Sequence, residues 1–564
     1  MFRFIIDRIV FQWPVLFVLI SILTSCHFKN KEADIIFHNA KIYTVDGDFS
    51  VKEAMAIKDG EIVAIGPERE ILNEYKASKV VDCQKRFIYP GFIDAHCHFL
   101  GYGQTLQEAD LSQAKSFDEV IEILNAHRQK YPNKPWIVGR GWDQNDWQAK
   151  EFLSDEAIQF PDNKKLNELF SDVPVMLTRI DGHAMLVNQK ALTIAGIKAT
   201  TEVEGGSIEM RDGVLTGILI DNAMKLIYPF LPSISDEEKI QALLSAQQAC
   251  FKAGLTTLDD AGLMLQDIEL IKQLQRQGKL KMRIYAMLSD DEKNYEHYLK
   301  HGIDTSDYLS VRAFKFYSDG ALGSRGACLL NPYSDVVHKT EYGTMLKDKN
   351  YFDMRAAQLN EKGFQMCTHA IGDSANRVML RVYAKALEGT NDKRWRIEHA
   401  QVVQKEDMDK FGNYNVIPSV QPTHATSDMP WAWERLGRNR LARAYAYQEL
   451  KKQLGMLALG TDFPVEDISP IKTFYAAVVR KDSKGNPSEG FQKENALSKE
   501  EALRGMTIWA AIANFEENKK GTLEVGKFAD FVMLDQDLMK AQEEKILDTK
   551  VLMTVIGGEI VFGN

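Results

Sequence analysis

Cysteine is scarce in this chain: six in 564 residues, with no Cys-x-x-Cys spacing anywhere. That scarcity excludes a disulfide-stapled scaffold and a thiolate zinc site, both of which need paired or closely spaced sulfurs. A basic excess is missing too. Lys and Arg number 69 against 79 Asp and Glu, a formal charge of −10. No clustered basic run is available to neutralise phosphates, which argues against a nucleic-acid partner. Repeats and low-complexity tracts are also absent. What is present is ordinary globular material, 45% hydrophobic and 26% charged, in a chain long enough for a large core and a second module.

Nor does the N-terminal apolar run reach membrane-spanning length. Pro14 to Leu23 (PVLFVLISIL) covers ten residues, against the ~20 that a spanning helix needs. With Arg3 and Arg8 ahead of it, the run has the layout of an export signal. It ends in Leu23-Thr24-Ser25-Cys26, which resembles a bacterial lipobox. The reading is a lipoprotein signal peptide over 1–25, with Cys26 lipidated and HFKNKEAD as a tether. An ordinary anchor helix or a cleaved secretory peptide is the alternative. The expected location is the bacterial cell envelope, on the periplasmic or surface side, held to the membrane by several acyl chains. Cys83, Cys97, Cys250, Cys328 and Cys367 read as small core residues.

Past the tether, IIFHNAKIYTVDG, AMAIKDGEIVAIG and KVVDCQKRFIYPG cluster strand-forming residues between Gly, Asp and Pro punctuation. Asp59-Gly60 is a hairpin signal, because both residues tolerate positive φ. The same style returns only at the far end, in GTLEVGKFADFVMLD and VLMTVIGGEIVFG. A small β-sandwich built from both termini, over 26–90 and 515–564, is therefore expected. Between them, over 91–514, strand-like and helix-like runs alternate, as in parallel βα architecture. Ser235-x-x-Glu238 is a capping box for one helix and Gly254 its stop. The apolar runs at 91–99, 256–262, 281–288, 311–320, 365–373, 396–401, 416–422 and 456–464 make eight strands, the number a (β/α)8 TIM barrel requires. The fold class is thus α/β: a TIM barrel with a large insertion, about 100–250, after its first strand, plus the terminal β-sandwich.

The unusual polar residues fall where these runs give way to loops, at the mouth of such a barrel. His96 and His98 end the first strand, Lys315 and Asp319 lie toward the end of the fourth, His369 ends the fifth, His399 the sixth and Asp462 the eighth. Alternate strand residues share a face, so His96 and His98 point inward together and can clamp a borderline cation such as zinc. Asp462, behind Gly460, is a candidate ligand and general base. It would take a proton from metal-bound water, whose pKa coordination lowers to about 7, and pass it to a departing nitrogen. Lys315 lies between Phe314 and Phe316. Such a lysine either snorkels or, neutral and desolvated, reacts with CO2 to give a carbamate that can bridge two cations about 3.5–4 Å apart.

Tyr89 to His98 (YPGFIDAHCH) resembles the opening motif of the amidohydrolase superfamily, and Gly526 to Val532 (GKFADFV) the strand that returns to its β-sandwich. KFYSDGALGSR (315–325), THAIGD (368–373), RIEHA (396–400) and GTDFPV (460–465) are similar, in order, to amidohydrolase family 3, the N-substituted formamide deformylase-like group. The resemblance covers nearly the whole chain after the tether. It implies that His96, His98 and Asp462 hold one divalent ion, zinc by default, and His369 and His399 a second, with carboxylated Lys315 bridging them. It also implies hydrolysis of a non-peptide C–N bond in a small-molecule formamide, N-acyl amine or related amide or carbamate, through a metal-bound hydroxide. Family habit alone adds a homodimer.

Further residues are placed around this centre. His183 follows VPVMLTRI in the insertion, and its segment resembles the family's Gly-His signature. It is a candidate oxyanion donor or a structural histidine. Trp142 and Asp143 are candidate pocket residues, although GRGWDQNDW equally suits packing of the insertion. Asp319, Arg325, His424 and Asp428 complete the substrate-binding set; Arg325 would pair with an acidic substrate group unless it is structural. Two alternatives stand beside the hydrolase. One is a mononuclear deaminase of the same superfamily, with Asp373 available as its acid and no use for Lys315. The other is a non-catalytic lipid-anchored binding protein, whose mark would be lost ligands, and none of the six is lost.

Overall fold

All eight expected barrel strands are found. In the computed structural model, which describes residues 31–147, 160–232, 234–336 and 340–563, they are β1 (Phe92–Cys97), β2 (Leu255–Leu263), β3 (Arg283–Ser289), β4 (Leu309–Tyr317), β5 (Gln365–Ala370), β6 (Arg396–His399), β7 (Ile417–Val420) and β8 (Ala458–Leu459). Neighbours pair in parallel and in sequence order. Beyond β8, the Asp462 N–H donates to the His96 carbonyl (2.7 Å) and the His98 N–H to the Phe463 carbonyl (2.9 Å), joining the last strand's extension to the first. The expected signal peptide and Cys26 lie outside the described residues. Lys31–Asp34, read as tether, instead open the strand Lys31–His38.

Strand parity explains the layering. Phe314 and Phe316 of β4 turn outward into the large core under the helices, so Ala313 and Lys315 face the barrel axis. Ala313 packs there with Ala261, Tyr285, Met287 and Cys367. The helix Asp236–Ala253 leads into β2. Its Ser235–Glu238 capping box forms as expected, and Gly254 ends it in the left-handed region at φ 88°.

The insertion supplies a sheet of its own. Its strands run in the order Gly206–Arg211, Val214–Asp221, Ala184–Val187, Val175–Arg179, Ile137–Trp142 and Ala109–Asp110. Both faces are covered: Leu177, Leu186 and Ile218 pack on one side and Met176, Met185 and Leu219 on the other. The terminal module is equally clear. A four-stranded sheet from residues 31–82 faces a six-stranded one in which Phe87–Pro90 pairs antiparallel with Phe531–Leu534. Phe37 and Phe531 meet edge-on between them at 4.9 Å. The Asp59-Gly60 hairpin forms with both residues at positive φ (51° and 82°). Buried Arg283, at the start of β3, pairs with Asp530 (2.6 Å), tying this module to the base of the barrel.

Candidate metal centre

Each candidate ligand reaches the mouth by its own route. His96 lies inside β1, and His98 follows just beyond it, heading the helix Phe99–Thr105. Gly460 lets β8 close up on β1, since a Cβ there would stand 2.5 Å from the His96 backbone nitrogen. Asp94 then clips the strands together, accepting from the Thr461 N–H (2.9 Å) and hydroxyl (2.6 Å). His399 has the wrong parity, because Arg396 and Glu398 already face the axis. Left-handed backbone at His399 (φ 72°) and Ala400 (φ 42°) turns it into the mouth. Asp462 is left-handed as well (φ 63°). Positive φ is uncommon and strained for such residues, and here it aims two candidate ligands.

Burial sets the protonation states. His96 is pushed down to about 4, first by burial and then by Lys315. His369 and His399 are held well below the usual histidine range, again chiefly by burial. Neutral imidazole is the ligand form, and the partners decide which nitrogen is free. His96 Nδ1 donates to Glu398 (2.5 Å), and His399 Nδ1 to Gln421 Oε1 (2.8 Å). Among the described residues, His399 Nε2 keeps a bare lone pair and His96 Nε2 accepts from Lys315 alone, the arrangement in which an outer partner orients a metal ligand. His98 Nδ1 is likewise engaged, by the Ala261 carbonyl (2.9 Å). Burial works against the Asp462 carboxylate, yet His424 and then His98 hold it well below the usual range. Lys315 is 1% exposed. Burial pushes its amine down to about 8, and it donates to His96 Nε2 at 2.9 Å.

These residues fit a divalent metal. Ligand atoms of His96, His399 and Asp462 lie within 4.8 Å of one another. Asp462 Oδ1, 3.2 Å from His98 Nε2 and 3.6 Å from His96 Nε2, is buried without a hydrogen-bond partner. The unpartnered Asp462 Oδ1 and the free His399 Nε2 leave acceptors that a cation would satisfy, and imidazole with carboxylate suits a borderline ion such as zinc. The His369 ring stands 4.6 Å from that of His399.

The centre opens into a cavity of about 1100 Å³ roofed by the inserted sheet. His183, Asp143, His424 and Asp428 are among the residues that line it. His183 Nδ1 pairs with Asp221 (2.7 Å), and its ring lies 5.0 Å from that of His369. His424 bridges Asp462 Oδ2 (3.3 Å) and Glu466 (3.0 Å). Asp428, pushed up to about 7 by burial, accepts from the Tyr445 hydroxyl (2.7 Å). Asp143 is tied to Arg179, which Asp181 holds from the other side.

Three expected pocket residues are elsewhere. Trp142 packs with Trp147 and Phe160 in the core of the insertion, its indole donating to the Leu177 carbonyl (2.8 Å). Asp319 is fully buried, and the backbone N–H groups of Cys328, Ile371 and Gly372 occupy its oxygens at 2.8–3.1 Å. It ties the loops after β4 and β5 together. Arg325 pairs with Asp335 (2.9 Å) away from the cavity lining, the structural role weighed for it. Residues that the motifs did not single out complete the centre. Arg396 bonds Asp259 (2.7 Å) and Ser419 (3.0 Å) beneath Glu398, an ionic layer under His96. Arg-Ile-Glu places two charges on one strand face, and that parity was the available signal.

The amidohydrolase family matches residues 79–562 of this chain. The chain is 30% identical over 552 residues to protein LONG AFTER FAR-RED 3 of Arabidopsis thaliana, spanning 94% of this chain and 92% of that one. It is 26% identical over 554 residues to an N-substituted formamide deformylase of Arthrobacter pascens, spanning 93% and 97%. Its fold is similar to that of a metal-dependent hydrolase from Pyrococcus horikoshii, with a TM-score of 0.71, 25% identity and coverage of 90% and 99%.

Proposed function

We propose that this chain, which belongs to the amidohydrolase family, hydrolyses a non-peptide C–N bond of a formamide, N-acyl amine or related amide or carbamate. At the coarser level it is a metal-dependent hydrolase of the amidohydrolase superfamily. The observation that carries the finer reading is Lys315, a buried amine 2.9 Å from His96 Nε2, where a carbamate would supply an oxygen bridge. The formamide deformylase relative supports the bond class.

Divalent ions, zinc by default, supply Lewis acidity toward a carbonyl and toward water. His96, His98 and Asp462 would hold one and His369 and His399 the other. For the carbamate, neutral Nζ adds to the carbon of CO2, forming an N–C bond and releasing a proton. Asp462 would offer Oδ1 to the ligand set, and Oδ2, beside His424, would take the proton of the attacking water and deliver it to the leaving nitrogen. His183, its Nδ1 engaged by Asp221, presents its other nitrogen to the cavity and donates to the carbonyl oxygen as charge develops there.

Metal analysis and formamide turnover of Lys315→Ala test the reading. Two ions per wild-type chain are expected, with at most one ion and no turnover in the variant. Two ions and wild-type turnover in the variant would overturn it. The compact group of His96, His399 and Asp462 could serve one ion alone, and this favours a mononuclear deaminase as the second reading, which a wild-type ratio near one would select. The N-terminal run and Cys26 support a lipid anchor at the cell envelope; a Cys26→Ser protein that still partitions with membranes would refute it.

A further inference from the structure

We propose, resting on the hydrolase reading for the bond cleaved, that Arg140 is a specificity residue that receives a carboxylate of the substrate. The preferred substrates are then N-formyl or N-acyl compounds bearing a carboxylate.

Arg140 lies on the strand Ile137–Trp142 of the cavity roof. A register shift separates it from Trp142, and Gly141 between them adopts φ 107°. A Cβ at Gly141 would also stand 2.9 Å from the Ser112 nitrogen. This bulge sends Trp142 into the core and leaves Arg140 on the cavity lining.

Four Arg and Lys side chains line the cavity: Arg140, Arg179, Lys225 and Lys315. Arg179 is held by Asp143 and Asp181, and Lys315 donates to His96. Lys225 lies at the exposed rim. Arg140 differs from all three. Among the described residues its one hydrogen bond goes from Nη2 to the Ile180 carbonyl (3.0 Å), and its Nε is buried without a partner. Among the described residues no carboxylate comes within ion-pair distance of it. The acidic groups whose fields it feels are Glu108, Asp181 and Asp462. Asp181 is committed to Arg179 and Asp462 to the metal centre. Burial pushes the Glu108 carboxyl up, away from the charged form.

A guanidinium offers five N–H donors in a planar fork that matches a carboxylate, and leaving the buried Nε without a partner is costly. A substrate carboxylate reaching the roof would fill them while its amide lies over the metal centre, since both line one cavity. Met176, Tyr228 and Leu322 also line the cavity and offer surface suited to a hydrophobic substrate side chain.

The probes are N-formylphenylalanine and its uncharged counterpart N-formylphenylalaninamide, offered to the metal-loaded full chain. Wild type is expected to favour the carboxylate in kcat/KM by about 30- to 100-fold, mainly through KM. Arg140→Met should collapse that ratio toward one, and Arg140→Lys should leave an intermediate ratio, which keeps the test readable if the Met variant fails to fold. An unaltered ratio in the variants, or none in wild type, overturns the proposal. Calorimetric binding of the same two probes separates the two readings. If neither formamide is cleaved but wild type binds the carboxylate and Arg140→Met does not, Arg140 stands and the hydrolase reading falls. If the carboxylate shows no preferential binding to wild type, the role of Arg140 is refuted.

Discussion

Replacing Glu398 by Gln removes one negative charge from the ionic layer of the barrel while keeping its shape. Glu398 accepts from His96 Nδ1 (2.5 Å) and pairs with Arg396 Nε (2.7 Å), with all three side chains fully buried. Removing one partner of a buried ion pair costs about 3–5 kcal/mol when the other charge is left bare. Arg396 is not left bare, since it keeps Asp259 and Ser419, and Gln still offers His96 an acceptor. We therefore expect a loss of about 2–3 kcal/mol in the metal-free protein. Metal affinity should fall by about 10- to 100-fold, because outer partners of ligating histidines have effects of that size; the loss corresponds to about 1.4–2.8 kcal/mol. Denaturant unfolding of metal-free protein reads the first effect, and competition with a chromophoric chelator reads the second. Acid adds a signed check. Burial opposes ionisation of Glu398, but Arg396 and His96 hold its carboxyl well below the usual range. The resulting stability is fully present above the unfolded-chain value and is lost as pH falls through the folded one. The gap between wild type and Glu398→Gln should therefore be constant near neutrality and narrow only below about pH 4. Leu124→Ala, in the core of the insertion, is the control: about 2–5 kcal/mol lost with metal affinity unaltered. A Glu398→Gln protein that binds zinc within twofold of wild type would refute the assignment of the His96 tautomer to Glu398.

Gly460→Ala should push β8 away from His96 and Asp94, destabilise the fold by about 1–3 kcal/mol and weaken metal binding; unaltered zinc affinity by chelator competition would contradict that account of the close approach. Burial lowers the Lys315 amine to about 8, so its neutral fraction rises as pH increases through 8. Incorporation of labelled bicarbonate into the protein, read by carbon NMR, should rise from pH 7 to pH 9. Metal-free protein should also gain stability between about pH 8 and 10.5, where the unfolded lysine still holds a proton that the folded one has shed. Flat profiles in both measurements would count against a neutral buried amine.

The barrel was legible because its strands are short apolar runs whose last residues break the hydrophobic rule. His96, His369 and Asp462 announce themselves in that way. His399 was found for the same reason, although its inward aim depends on two left-handed residues that no pattern shows. The supporting layer was harder to see. Arg396 and Glu398 look like one more exposed pair until the strand is known to be buried on both faces. Trp142 and Arg140 show the limit most directly. They are two residues apart on one strand, parity predicts a shared face, and the bulge at Gly141 separates them. Asp319 and Arg325 sit in a loop at the mouth, where proximity to Lys315 suggested substrate contact. What they hold is backbone and Asp335, distant partners that local sequence does not reveal.

The junction between β8 and β1 also governs when the centre can exist. Asp94 and Thr461, which clip it, are 367 positions apart, so nearly the whole barrel must be synthesised before His96 meets Asp462. An ion that needs donors from both ends cannot be retained by a nascent or truncated chain. On the proposed ligand set, metal capture would be a late event that marks finished molecules. If the proposed export signal sends the chain out before it folds, the supply that matters would be that of the compartment in which the ring finally closes. Metal content would then record the place of maturation as well as the capacity to bind.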